Sequence, residues 1–351
     1  MKMRKVAAAI LGSMFLLVGG VGVKAENAPI VISYQPGLFW SLPFFIATEK
    51  NWWKEVDLEP SFVTFPAGAP QIAAAASKSW DVGGTGAIPA VLGAANYAID
   101  TIAIGADESL VDQLMVRASK LEQYKAKPEL LRGQQILLTS NSTGDYVVTS
   151  CLAKYGLAKK DVQIVNMGQA QIVSAMGSNN ADLAGVWEPN NYLLEENAGA
   201  TKLCSGKESG AVVLAVLVVR HEYGVDHPDR VARFLAVYLR AIKWMRENRL
   251  ETEALLRQFL AKGGLTLADS SIKGLVDGNL TFDLNQQLKA FSGTEQQKSP
   301  IIAWMTDMTA FMKNAGSLRV IPVATDYITD RYLKLVDQND SLRSFVGGKA
   351  Q

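Results

Sequence analysis

The sequence has few residues of the kinds that catalytic and metal sites need. Its 351 residues include only two cysteines, Cys151 and Cys204, and two histidines, His221 and His227. These four residues form no cluster with metal-ligand spacing, and no glycine-rich phosphate loop follows a predicted strand. His227 precedes a proline at a predicted helix start, which is a capping position. We therefore expect no catalytic residue, no metal and no cofactor.

An excess of charge of one sign is also lacking. The chain has 35 lysines and arginines against 34 acids, a formal net charge of +1. This balance provides no strongly positive surface, so no partnership with nucleic acid or with anionic membranes is expected. With 48% hydrophobic and 20% charged residues, the composition is globular. The length suits one large domain or two smaller α/β lobes.

Long apolar runs are absent after the first 25 residues. Lys2, Arg4 and Lys5 precede an apolar run over residues 6–23, and small residues flank a cleavage site after Ala25. We predict that residues 1–25 are a signal peptide, with an uncleaved membrane anchor as the alternative. No cysteine follows the run, so a lipoprotein is not expected. Cleavage removes four basic residues including Lys24 and no acid, which changes the net charge from +1 to −3. The mature chain is predicted to be periplasmic.

Short apolar runs alternate with helical patterns after residue 30, which indicates an α/β fold. The predicted strands cover residues 29–34, 58–65, 80–83, 99–104, 113–117, 135–138, 162–165, 183–186, 201–203 and 211–219. Later residues have helical spacing over residues 230–247, 251–261, 300–314 and 326–336. This order predicts two lobes, each a mostly parallel sheet flanked by helices.

The chain is predicted to pass twice between the lobes, near residues 110–119 and 210–220, as a two-strand hinge. Residues 26–112 and 217–340 would form a discontinuous first lobe, residues 113–216 the second, and residues 341–351 a C-terminal tail. A cleft beyond the carboxyl ends of the strands is the expected ligand site.

Motifs spread along the chain resemble those of one family of binding proteins. They are PFFIA (43–47), DVGGTG (81–86), STGDY (142–146), DLAGVWEP (182–189), HPDRV (227–231), GNL (278–280) and VATDY (323–327). In this order and spacing the chain resembles the taurine, aliphatic sulfonate and nitrate family of periplasmic binding proteins, and most closely the taurine branch. The resemblance implies the type II two-lobed fold, no enzymatic activity and a partnership with ABC permease subunits.

Two strand-to-helix turns are candidate sites for the anionic head of a ligand. Thr85, Gly86 and Ala87 form the first turn, where glycine permits close approach and helix amides are free donors. In the family this turn cradles the anion, but Ala87 lacks the hydroxyl that often stands there. Ser142 and Thr143 open the matching helix of the second lobe, where capping is the alternative role. Asp145 in its first turn either stabilises the helix or receives an ammonium group.

Further candidates border the cleft. Trp40 and Ser41 follow the first strand, and Trp187 follows a strand of the second lobe; in the family a tryptophan at this last place packs against the ligand. Asp112 is the candidate partner of an amino group, in the place where the taurine branch has an acid. Glu188 either selects a cationic group or lies solvated at a helix start.

The predicted function is therefore capture of a small sulfonate or taurine-like zwitterion in the cleft and its delivery to an importer. Ala215 stands where the taurine branch often has an aspartate, so a different small polar or aromatic ligand is the alternative. A periplasmic sensor and an enzyme like the pyrimidine synthase of thiamine biosynthesis are less favoured, since the latter needs a cysteine-rich segment. A monomer is expected. Cys151 and Cys204 are a possible disulfide, with two unpaired buried thiols as the alternative.

Overall fold

The computed structural model describes residues 27–294 and 298–348, so the predicted signal peptide lies outside the described residues. Ten strands form two five-stranded sheets. The strands are β1 (Ala28–Tyr34), β2 (Leu58–Thr64), β3 (Val82–Gly86), β4 (Ile99–Asp107), β5 (Gln113–Arg117), β6 (Gln135–Leu138), β7 (Gln163–Asn166), β8 (Leu183–Val186), β9 (Ala200–Ser205) and β10 (Leu214–Arg220). The α/β architecture of two helix-flanked lobes is confirmed.

The first-lobe sheet has the strand order β2-β1-β3-β10-β4. Strand β1 is parallel to β2 and β3, whereas β10 is antiparallel to β3 and β4. Strand β10 consists almost entirely of buried aliphatic residues, as expected for a central strand with both faces covered. The second-lobe sheet has the order β7-β6-β8-β5-β9, and β5 is its one antiparallel strand.

Helices cover the faces of both sheets. Within the described residues they are α1 (Leu42–Glu49), α2 (Gly68–Ala74), α3 (Ala87–Tyr97), α4 (Leu121–Ala126), α5 (Thr143–Lys154), α6 (Gln169–Gly177), α7 (Asn190–Ala198), α8 (Gly206–Ser209), α9 (His221–Asp226), α10 (Pro228–Glu247), α11 (Arg249–Lys262), α12 (Asp269–Gly278), α13 (Leu284–Phe291), α14 (Pro300–Asn314), α15 (Ala324–Tyr327), α16 (Arg331–Gln338) and α17 (Asp340–Val346). None of these helices combines the length and the apolar character that a membrane span requires.

The chain passes between the sheets in two short segments that lie side by side. Residues 108–112 join β4 to β5, and residues 206–213 join β9 to β10. The two segments are bonded to each other, since Gly206 N–H donates to the Asp112 carbonyl at 3.2 Å and Lys207 N–H to the Ser109 carbonyl at 2.7 Å. The passages are shorter than predicted, because β5 already pairs with β8 from Gln113 onward.

The C-terminal segment differs from the tail expected at residues 341–351. Residues 340–346 form α17, which packs on α10. Phe345 is buried at 1% exposure, and the Arg240 guanidinium lies 4.4 Å from its ring centroid. The burial of Phe345 and this cation–π contact hold the segment on the first lobe. Residues 349–351 lie outside the described residues.

Candidate functional site

A small cavity lies where the two lobes face each other. Its volume is about 30 Å³, much smaller than that of the larger hollows on the first lobe. Its lining residues come from both lobes and from the first passage: Gln35, Leu38, Trp40, Gly68, Gly86, Pro89, Glu108, Ser142, Thr143 and Trp187. None of these residues is a lysine, an arginine or a histidine. Larger hollows of about 460 and 400 Å³ occur on the first lobe alone and include no residue of the second lobe.

Strand β3 and helix α3 build the first-lobe wall of this cavity. Gly86 is the N-cap of α3 and has extended backbone angles. Because glycine has no side chain, the first amides of α3 have no side-chain cap. A Cβ atom on Gly86 would lie 2.9 Å from the Thr143 Cγ2 of the other lobe. Glycine is therefore required for the lobes to approach this closely. The Thr85 hydroxyl is buried behind Gly86 and has no hydrogen-bond partner.

Helix α5 builds the opposite wall. Ser142 is its N-cap, and the Ser142 Oγ accepts a hydrogen bond from Asp145 N–H at 3.2 Å. Asp145 is buried at 2% exposure and accepts hydrogen bonds from Asn141 N–H at 3.1 Å and from the Lys159 ammonium at 2.6 Å. Asp145 therefore has its partners within the second lobe and is not among the residues that line the cavity.

The first passage supplies acids at the floor of the cleft. Glu108 lines the cavity at 3% exposure, and Asp112 is fully buried. The Thr143 side chain, at the start of α5 in the second lobe, lies within hydrogen-bonding reach of the Asp112 carboxyl group. Burial raises the pKa of Asp112 from 3.8 to about 7, while the nearby Thr143 hydroxyl acts to lower it. Burial also raises the pKa of Glu108 well above 4.5, and the negative charge of Asp112 adds to that shift.

Glu188 follows the second-lobe strand β8 and is fully buried. Its Oε1 accepts a hydrogen bond from Phe39 N–H at 2.8 Å, and its Oε2 accepts one from the Asn279 amide. Phe39 and Asn279 both belong to the first lobe, so the Glu188 carboxylate joins the lobes. Burial raises its pKa to about 8, although both hydrogen bonds act to lower it.

The residues predicted from the sequence fall into three groups in the structure. Trp40, Gly86, Ser142, Thr143 and Trp187 line the cavity. Ser41, Thr85, Ala87 and Asp112 are buried close behind residues of that lining. The Ser41 hydroxyl donates to the Leu38 carbonyl at 2.7 Å and so holds the loop after β1. Asp145 and Glu188 bond to protein groups instead of lining the cavity.

Sequence reasoning missed five lining residues: Gln35, Leu38, Gly68, Pro89 and Glu108. Gln35 directly follows the end of β1 and Glu108 directly follows the end of β4, at the carboxyl edge where ligands bind. The strand-end rule that pointed to Trp40 therefore also applied to them.

Cys151 and Cys204 are joined by a disulfide that ties α5 to β9.

Solved structures with a similar fold identify the architecture. The alkanesulfonate-binding protein SsuA from Xanthomonas axonopodis pv. citri, bound to MOPS, is 17% identical with a TM-score of 0.68, over 87% of this chain and 99% of that one. The periplasmic nitrate-binding protein NrtA from Synechocystis is 13% identical with a TM-score of 0.68, over 93% and 92% of the two chains. The fold is that of the two-lobed periplasmic binding proteins.

Sequence comparison defines the family. The model of the family described as NMT1/THI5 like matches residues 39–252. The chain belongs to this family. The taurine-binding periplasmic protein of Escherichia coli is 26% identical over 333 residues, which cover 90% of this chain and 95% of that protein.

Proposed function

We propose that this protein is the solute-binding component of an ABC importer, and that it captures a taurine-like zwitterion between its lobes. The observation that carries the proposal is the pairing of two chemical environments in one cleft. The starts of two helices, α3 without a side-chain cap and α5 capped by Ser142, face the cavity, and the buried carboxyl groups of Glu108 and Asp112 lie beside it. The taurine-binding relative from Escherichia coli, with matching length, supports this ligand class.

The helix starts suit a sulfonate group. Helices α3 and α5 have 11 and 12 residues and begin at the cavity; α3 has no side-chain cap, and Ser142 caps α5 through Asp145 N–H. The N-terminus of a helix attracts anions through its first amides and through the helix dipole. Because Gly86 and Thr143 belong to different lobes, one sulfonate with three oxygens would be held by both. Such a ligand stabilises the closed arrangement.

The acids suit the amine of the same ligand. No cavity-lining residue among those described carries a positive charge that would neutralise Glu108. An ammonium group would supply that charge together with N–H donors. Trp40 and Trp187 would enclose the short alkyl body between the two charged ends.

Capture requires opening and closing of the lobes. The described form is closed, since the Ser317 hydroxyl donates to Asn141 Oδ1 at 2.7 Å and the Tyr146 and Phe311 rings lie 5.1 Å apart across the lobes. The cavity is small and is enclosed by residues of both lobes, so we propose that the ligand enters when the lobes are separated. Ligand contacts with both lobes then shift the equilibrium toward closure, and the closed protein docks on the permease.

A second ligand class is favoured by one observation. The absence of lysine and arginine from the described cavity lining, together with two tryptophans, also suits a small polar or aromatic cation without an acidic group. The transport role would be the same. We propose no enzymatic activity, because the Escherichia coli relative is a binding protein and both cysteines are held in the disulfide.

Calorimetric titration of residues 26–351 tests the proposal with a matched set of ligands. Taurine has both charged ends, ethanesulfonate has only the anion, and ethylammonium has only the cation. We expect taurine to bind at least about tenfold more tightly than either fragment. Stronger binding of aromatic amines than of taurine would favour the second ligand class. No binding of any of these compounds would refute the proposed ligand.

Uptake in the native host tests the transport role separately. Deletion of the gene is expected to abolish accumulation of labelled taurine at low concentration, and the wild-type gene is expected to restore it. A variant with Thr143→Arg, which places a bulky side chain in the closed interface, should fail to restore uptake. Unchanged uptake after deletion would contradict the role in import.

A further inference from the structure

We propose that a second cavity, on the first lobe, binds a small neutral carboxamide and that its occupancy favours closure of the lobes. This inference goes beyond the proposed function, because the cavity shares no lining residue with the one between the lobes. Its volume is about 230 Å³. It is built from the turn after β1, the junction of α10 with α11, and the end of α12 with the residues that follow.

One wall of this second cavity is apolar. Phe39, Met245, Val276 and Leu280 supply it. The Leu280 side chain is 53% exposed although it is apolar. Covering such surface with an apolar group is favourable, because it removes the surface from water. The ligand of this cavity is therefore expected to have an apolar body.

Two polar atoms of the lining residues lack partners among the described residues. Asn279 is buried at 6% exposure, and its Oδ1 accepts no hydrogen bond. The Arg249 Nη2 is also buried and unpaired. The two residues are neighbours, since the Arg249 Nη1 bonds to Asp277 near the end of α12, two residues before Asn279. Buried polar groups are rarely left unpaired, so a ligand with one donor and one acceptor is indicated.

The charges around the cavity favour a neutral ligand. Arg249 pairs with Glu253 at 3.0 Å and also with Asp277, and Arg246 pairs with Asp283 at 3.0 Å. Both arginines of the lining thus already have acidic partners. A carboxylate would bring further negative charge close to these acids. A primary carboxamide has a carbonyl acceptor for Arg249 and an N–H donor for Asn279, without net charge.

The cavity adjoins the contact that joins the lobes. Phe39 and Asn279 line it, and the same two residues donate hydrogen bonds to Glu188 of the second lobe. A ligand N–H bound at the Asn279 Oδ1 would fix the plane of this amide with its own N–H groups toward Glu188. An amide ordered in advance loses less conformational entropy when the lobes meet. An occupied cavity should therefore favour the closed form.

A second connection leads from the cavity to the first passage between the lobes. Asp107 N–H donates to the Leu280 carbonyl at 2.8 Å, and Leu280 N–H donates to the Asp107 carbonyl at 3.3 Å. Asp107 is the last residue of β4, and the passage begins at the next residue. A ligand against Leu280 therefore contacts a segment that is bonded to the base of this passage.

Calorimetric titration with three compounds of one branched body tests the site. Isovaleramide has the acceptor and the donors, N,N-dimethylisovaleramide lacks N–H groups, and isovalerate carries a negative charge. We expect isovaleramide to bind with a dissociation constant of about 1 mM. The other two compounds should bind at least about tenfold more weakly. Undetectable binding of isovaleramide, or equal binding of either other compound, would overturn the inference.

Variants locate the binding. Arg249→Lys keeps a positive charge beside Asp277 but removes Nη2, and it should weaken isovaleramide about tenfold. Arg257→Lys is the matched control on the same helix, because Arg257 pairs with Asp269 at 2.8 Å outside the cavity. Val276→Trp fills the cavity and should abolish binding. Wild-type affinity in Arg249→Lys would overturn the inference, whether or not Val276→Trp folds.

Small-angle scattering and taurine titration measure the effect on closure. Saturating isovaleramide should lower the radius of gyration of the protein without solute and raise the affinity for taurine at least about fivefold. Glu188→Ala should still bind isovaleramide and lose both effects. If no sulfonate binds, the proposed ligand fails, whereas the isovaleramide titration and the scattering still test this inference. Bound isovaleramide that changes neither the radius nor the taurine affinity would overturn the link to closure.

Discussion

The Glu188 carboxylate of the second lobe accepts a hydrogen bond from the Phe39 backbone N–H of the first lobe at 2.8 Å. The Asn279 side chain, also in the first lobe, donates to the other carboxylate oxygen. All three residues are buried in the described closed arrangement. Glu188 is thus a contact of closure, and its bonds lie within the protein.

Replacing Glu188 with alanine should favour the open form. In Glu188→Ala, closure buries the Phe39 N–H and the Asn279 amide without acceptors, whereas water serves both in the open form. We expect a larger radius of gyration of the ligand-free protein in small-angle scattering, and ligand affinity weaker by about tenfold. Glu195→Ala, an exposed acid on the following helix α7, is the control. A radius and an affinity equal to those of the wild type would show that Glu188 does not stabilise closure.

Gly86→Ala should impair closure and leave folding intact. The added methyl group would lie 2.9 Å from the Thr143 Cγ2 of the other lobe, and the extended backbone of Gly86 tolerates alanine. We expect an unchanged melting temperature without ligand and a marked loss of ligand affinity in titration. Gly177→Ala, where a Cβ atom meets nothing within 4 Å, should change neither quantity. Full affinity in Gly86→Ala would mean that ligand-bound lobes stay farther apart than described.

Loss of the disulfide should destabilise the second lobe. Cys151 and Cys204 are separated by 53 residues, and a bridge over a loop of this length stabilises by about 4 kcal/mol in the chain-entropy model. The double variant Cys151→Ala and Cys204→Ala should lower the free energy of unfolding in urea by up to that amount. The double variant should also bind the ligand more weakly, because Ser142 and Thr143 stand at the start of α5. Wild type under reducing conditions is the comparison, and equal stability of all forms would contradict the prediction.

Stability of the ligand-free protein should fall as the pH rises. Burial raises the pKa of Asp112 to about 7 and that of Glu188 to about 8, from 3.8 and 4.5. Between these limits the folded protein binds more protons than the unfolded chain, so the free energy of unfolding decreases with pH. The contribution is complete below about pH 4 and is lost as the pH rises through 7 and 8.

Melting temperatures from pH 4 to 9 check this sign. Other groups titrate over the same range, so the informative quantity is the difference between the wild type and the double variant Asp112→Asn and Glu188→Gln. That difference should shift in favour of the variant as the pH rises. A difference independent of pH would show that these carboxyl groups are ionised throughout.

The sequence predicted the strands most accurately where short apolar runs end at polar or turn residues. Strands β5, β6 and β8 have the predicted bounds. Tertiary contacts decided other boundaries. The prediction of a single helix over residues 326–336 is wrong, because α15 ends at Tyr327 and α16 begins at Arg331. Between them Ile328 forms a bridge with Thr101, and Thr329 N–H donates to the Thr101 carbonyl at 3.0 Å, which breaks the helix.

The remaining differences between prediction and structure concern the hydrogen-bond partner of each polar side chain. The sequence by itself determined the two-lobed α/β fold, since the order of apolar runs fixes which elements can form. It also placed Trp40, Gly86, Ser142, Thr143 and Trp187 at the cleft, because they follow strand ends. Only the tertiary structure decided that Asp145 pairs with Lys159, that Glu188 reaches Phe39 149 residues away, and that Glu108 lines the cavity. Periodicity reports burial along one element, whereas a hydrogen bond depends on distances between elements that only the packed chain sets.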